Sequence, residues 1–202
     1  MYGINNNPSE NNFLLIVNSA KECLKVQNYI GALDIVLTLP DICGNVEYQN
    51  EKLGTGERYK KWYKAYIDNH ESVLERNKVG LIISPSYDAE FVYKLRCSFL
   101  HQGETLQAYL KNKYNEVTDV NFTILFTIPN KNNRKLQTFQ TSSSGPSWGP
   151  FSSGGKTEYT LSIDVEDMCK KIISAAEIFY DKNKNKFSDF KGFASLNNNI
   201  YK

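Results

Sequence analysis

The sequence predicts a mainly α-helical bundle of four to five helices, with a small antiparallel β-hairpin or sheet inserted at about residues 118–164. Three observations predict it. Apolar residues recur at three- and four-residue spacing through most of the first hundred positions. The period shifts to alternation over Phe122–Ile128 and again over Tyr159–Ile163. Helical spacing then returns from Val165 to Tyr180. This is not an alternating βα order, so a doubly wound nucleotide-binding sheet is disfavoured.

Each element has its own signal. Residues 1–11 are polar and Asn-rich and read as a flexible leader without a signal-peptide pattern. From Asn12 to Leu39 the apolar set Phe13, Ile16, Val17, Ala20, Cys23, Leu24, Tyr29, Leu33 and Val36 predicts one long helix or two abutting ones, with Gly31 as the break. Pro40 ends that stretch, and Leu39–Gly44 reads as a turn in which Gly44 is free to take a positive φ. A second helix is expected from about Gly56 to Glu75. Ser84-Pro85 is a helix entry for a third, Tyr87 to His101, with Gly103 as its C-cap.

The β insertion begins at Phe122, turns at Pro129–Asn133 and returns over Leu136–Thr141. Ser142–Gly155 is rich in Ser, Gly and Pro and reads as an exposed loop. Tyr159, Leu161 and Ile163 mark a third strand. Asp164 is the N-cap of a last amphipathic helix. The domain is expected to span 12–184, with 185–202 a loose tail.

Composition narrows the function classes. The chain has 202 residues, 24 basic and 22 acidic, for a net charge of +2. That excludes coating of nucleic acid through bulk charge but leaves room for a local basic cleft. Hydrophobic residues make up 41% and no run reads as a membrane span, so a cytoplasmic protein without a membrane partner is expected. Cys23, Cys43, Cys97 and Cys169 form no CxxC pair, and no cofactor or metal site is expected. His70 and His101 are the only histidines, so imidazole chemistry rests on one of them.

Arg96 and His101 are five residues apart on the third predicted helix, roughly 140° around its axis. A guanidinium matches phosphate oxygens, and an imidazole exchanges protons near neutral pH. Metal-free RNA cleavage needs both: a base for the 2′-hydroxyl, a cation for the phosphorane and an acid for the 5′-oxygen. The alternative is structural, with His101 capping helix carbonyls and Arg96 pairing with Asp41, Glu47 or another acid.

Arg96-Cys97-Ser98-Phe99-Leu100-His101 resembles the R-x(4–6)-H motif of HEPN-domain ribonucleases. Those are helical bundles of toxin–antitoxin, abortive-infection and other defence systems. Leu39–Glu47, Glu57–Trp62 and Tyr93–Gly103 together resemble a family of uncharacterised bacterial proteins. The HEPN resemblance implies an endoribonuclease acting as a homodimer, with Arg96 and His101 of both copies at one cleft and an antitoxin or defence partner. It also admits a non-catalytic binding or scaffold protein. Cys97 departs from the motif, where Asn, Asp or His commonly follows the Arg, and a thiol is a poor hydrogen-bonding replacement.

Arg58–Tyr66 interleaves cations with rings. Such a stretch can hold single-stranded RNA, with Lys60, Lys61 and Lys64 near phosphates and the rings under bases. At helical spacing, however, Tyr59, Trp62, Tyr63 and Tyr66 share one side and the lysines lie largely on the other, which is also how a core face and a solvated face look.

Overall fold

The computed structural model describes residues 8–68, 87–101, 120–127, 139–142 and 157–189. Within these the protein is mainly α-helical. The helices are α1 (Pro8–Lys25), α2 (Tyr29–Val36), α3 (Leu39–Glu47), α4 (Thr55–Tyr66), α5 (Ala89–His101), α6 (Val165–Lys182) and α7 (Lys184–Asp189). The strands are β1 (Val120–Thr127), β2 (Phe139–Ser142) and β3 (Thr157–Asp164). The chain divides into two compact units, Met1–Asn69 with Cys169–Lys202, and His70–Met168.

The first unit is a helical bundle. Helix α1 starts at Pro8, inside the expected leader. It ends in a Schellman motif: Asn28 N–H donates to the Cys23 carbonyl at 2.8 Å and Gln27 N–H to that of Leu24 at 3.0 Å. Gln27 sits at φ 60°, the left-handed conformation this motif needs and a glycine would adopt freely. Asn28 caps α2, its Oδ1 accepting from Gly31 N–H at 3.1 Å. The break therefore falls at residues 26–28, and Gly31 lies inside α2 beneath the cap.

Leu39–Gly44 is helix, not turn. Pro40 lies in the first turn of α3, where its missing N–H has no intrahelical partner to lose. Gly44 is buried and helical, and a Cβ there would meet the Arg58 carbonyl oxygen of α4 at 2.7 Å. Its smallness lets α3 and α4 touch. Tyr29–Glu47 is long and apolar enough, with mean hydropathy 1.3, to pass for a membrane span by length and composition. In the fold it is two helices whose residues Leu33, Val36, Leu39, Cys43 and Val46 are buried, the pattern of a core segment.

The core follows helical spacing. Phe13, Val17 and Ala20 of α1, Tyr59, Trp62 and Tyr63 of α4, and Cys169, Ile172, Ala176, Phe179 and Tyr180 of α6 are buried. Six rings meet there. Phe13 lies 5.3 Å from Tyr180 and 4.6 Å from Phe187. Phe179 meets Trp62 at 5.8 Å and Tyr66 at 5.0 Å, and Trp62 stacks on Tyr66 at 5.2 Å. Such pairs add roughly 0.5–1.5 kcal/mol each beyond the area they bury. Phe187 belongs to α7, so residues 184–189 are helix where the sequence reads as loose tail.

In the second unit Asp88 caps α5, its Oδ1 accepting from Phe91 N–H at 2.7 Å. The Ser84-Pro85 entry and the Gly103 cap lie outside the described residues. Phe91, Val92 and Leu95 are buried, and Phe99 meets Phe126 of β1 edge-on at 5.8 Å. The strands form one sheet in the order β1-β3-β2. β2 and β3 are antiparallel, as expected, but β1 runs parallel to β3 and does not pair with β2. The expected all-antiparallel insertion is thus a mixed sheet. Alternation specifies a strand but not its neighbour. Phe122, Ile124 and Phe126 match Tyr159, Leu161 and Ile163 over eight paired residues, whereas β2 offers four.

Candidate functional site

Helix α5 carries the chemistry the sequence singles out. It runs without interruption from Ala89 to His101, so Arg96 and His101 both have helical backbone. Five helical residues put their Cα atoms about 7.5 Å apart along the axis and roughly 140° around it. The apolar stripe of Phe91, Val92 and Leu95 is buried, which fixes the helix by packing rather than by its own propensity. Arg96, Cys97 and Ser98 follow that stripe and are half-buried. Arg96 has an interaction within the protein. Cys97 is a free thiol.

Just before α5, Tyr87 links the helix entry to the end of β3. Burial pushes its hydroxyl well above the ordinary tyrosine range, against a hydrogen bond from the Asp164 backbone that pulls it down. Asp164 caps α6, accepting from Asp167 N–H at 2.9 Å. This is the role its sequence position implies. The carboxylates at this helix start serve the cap and the dipole.

Helix α4 is arranged differently. Tyr59, Trp62 and Tyr63 are buried, so their faces are closed to nucleic-acid bases. Lys61 pairs with Glu51 at 2.7 Å and lies 4.2 Å above the Tyr48 ring. Its hydrogen bond to Glu51 raises its pKa. Lys60 has its own intramolecular interaction, and Lys64 is exposed in the last turn. Arg58 reaches back to α3, donating from Nη1 to Asn45 Oδ1 at 3.1 Å and from Nη2 to the Glu51 carbonyl at 3.3 Å. The structure thus separates the lysines from the rings that were to work with them.

Sequence reasoning missed a polar cluster at the far end of α3. Glu47 accepts from Lys186 Nζ at 2.6 Å and from the Tyr66 hydroxyl at 3.4 Å. Burial and the Glu47 charge push Tyr66 up to about 12. The same two causes, in the same order, raise Tyr48, with Lys61 opposing them. One signal could have found Phe187: it lies seven residues after Tyr180 and eight after Phe179, the spacing of a continued apolar face.

His70 and residues 143–155 of the expected exposed loop lie outside the described residues. Among the described residues no group of three or more His, Cys, Asp or Glu side chains could hold a metal ion. No protein-family model, curated protein or solved structure matches this chain.

Proposed function

We propose that the chain is a HEPN-like helical protein that cleaves RNA without a metal ion, through Arg96 and His101. The observation that supports this reading is the continuity of α5. One capped, packed helix holds both residues, and the guanidinium-bearing position is half-buried rather than sealed. In the reaction a base takes the ribose 2′-hydroxyl proton and the 2′-oxygen attacks phosphorus. The P–O5′ bond breaks, and an acid protonates the leaving 5′-oxygen. Arg96 holds the phosphate and stabilises the phosphorane; His101 moves the protons. The product end is a 2′,3′-cyclic phosphate. A homodimer would bring two such pairs to one cleft, and an antitoxin or defence partner in a bacterial cytoplasm would restrain it.

The test is cleavage of single-stranded RNA by the purified chain in excess EDTA, with product ends identified by mass. Wild type is expected to leave cyclic phosphates, and His101→Ala to abolish cleavage while its circular dichroism stays unchanged. Cleavage undiminished in that variant removes the proposal.

A second reading is a non-catalytic HEPN-like binding or scaffold protein. Two observations favour it: the existing engagement of Arg96, and Cys97 in the place of a hydrogen-bonding neighbour. It predicts no cyclic-phosphate product from wild type at any concentration tested.

A further inference from the structure

Helix α7 has six residues and follows α6 after the single residue Asn183. Asn183 closes α6 by donating from Nδ2 to the Phe179 carbonyl at 2.9 Å. A helix this short does not hold its own shape in water. It stays in place through what it touches. Phe187 is completely buried against Phe13 at 4.6 Å, Tyr180 at 5.1 Å and Phe179 at 5.8 Å. Lys186 reaches Glu47 of α3 at 2.6 Å. Lys184, Asn185 and Ser188 are exposed. Lys184 adds an exposed pair with Asp181 at 3.2 Å and lies 5.7 Å from the Tyr180 ring. Among the described residues, one buried ring and a few half-exposed charge contacts therefore order six residues.

Among the described residues, every other helix of this unit has a longer or more heavily buried anchor. Helix α3, for example, buries Leu39, Pro40, Cys43, Gly44 and Val46 over nine residues. Local stability in a fold tracks the number of buried apolar contacts, and elements with few of them open ahead of the rest. The ion pair is the weaker tie, because Lys186 and Glu47 keep 38% and 20% of their side-chain surface exposed.

We infer that α7 is a latch that opens about Asn183 while the remaining helices stay folded. Its opening uncovers a slot walled by Phe13, Phe179 and Tyr180, with the Glu47 carboxylate nearby. Glu47 and Lys186 gate it. When the pair is broken, Phe187 and the exposed Lys184–Asp181 pair must hold the helix, and the open population rises.

Hydrogen exchange on the full-length chain tests this. Amides of residues 186–189 are expected to exchange faster than those of 172–180 by on the order of ten-fold or more. Glu47→Lys should speed α7 several-fold and leave α6 unchanged. The double variant Glu47→Lys with Lys186→Glu, which restores the pair in reverse, should return α7 to the wild-type rate. Exchange of α7 and α6 in step in wild type overturns the latch, because the two would then open only by global unfolding. Acceleration of both helices alike by Glu47→Lys, or failure of the reversed pair to restore α7, overturns the gate.

Discussion

Helices α4 and α5 look alike in sequence and differ in what the fold makes of them. Each interleaves cations with rings: Arg58-Tyr59-Lys60-Lys61-Trp62 in one, Tyr93-Lys94-Leu95-Arg96 in the other. In α4 the rings are core, and Lys61 and Arg58 are tied to α3 and the segment after it. In α5 the buried positions are Phe91, Val92 and Leu95, and the half-buried Arg96 shares the helix with one of only two histidines. The lesson is that a basic-aromatic run does not identify a nucleic-acid surface. What matters is whether the rings are open and whether acids of the same unit already hold the cations.

The largest expected effect tests the core side of this comparison. Trp62→Ala removes a ring with no exposed surface and should cost about 3–5 kcal/mol. The indole N–H has no hydrogen-bond partner among the described residues, so the loss is one of packing. Arg96→Ala should cost no more than about 1 kcal/mol while eliminating the proposed cleavage. Urea denaturation of both variants decides; equal losses would erase the distinction between the helices.

Next is the contact that positions α4. Gly44→Ala places a methyl against the Arg58 backbone and should destabilise by about 1–3 kcal/mol. Gly31→Ala meets only the end of the Asn28 side chain, at 2.7 Å. Its cost is limited to a weakened cap, about 1 kcal/mol. The better helix propensity of alanine offsets that by a similar amount, roughly 1 kcal/mol. A Gly44→Ala midpoint equal to that of Gly31→Ala would contradict the close approach of α3 and α4.

A smaller effect comes from alkali. Tyr66 titrates near 12 in the fold against 10.0 ordinarily, so the folded state holds the proton more tightly than the unfolded chain. Its contribution is therefore complete below pH 10.0 and is lost as pH rises toward about 12. Tyr66→Phe should flatten this part of the stability–pH curve. An unchanged slope would mean that the residue lacks the environment α4 and Glu47 provide.

The smallest effect sets the scale outside both helices. Gln27→Gly relieves a left-handed residue and should stabilise by up to about 1 kcal/mol in the same denaturation assay. A loss of stability there would show that the Gln27 side chain contributes more than its backbone costs.

Much of this was legible from local signals. The apolar positions of α1, α4 and α6, the Asp164 cap and the helical state of Ala89–His101 follow from spacing and capping chemistry. The mainly helical class follows from them. Leu39–Gly44 was misread because Pro and Gly carry two meanings. Proline ends one helix or opens the next, and glycine permits a positive φ or a close approach. The parallel pairing of β1 with β3 was not legible, because alternation assigns a face and not a neighbour. The candidate site was legible as residue types on one helix, and helical spacing already put the α4 lysines and rings on different sides; that Glu51 holds Lys61 was not legible.

The sequence by itself determined the mainly helical class, the apolar faces of α1, α4 and α6 and that Arg96 and His101 share a helix. Those properties depend on neighbours within a turn or two. Only the tertiary structure decided that Lys61 belongs to Glu51 and that Glu47 holds Lys186. Such pairings join residues as much as 139 positions apart. No local periodicity encodes them; they exist only once packing has brought the helices together.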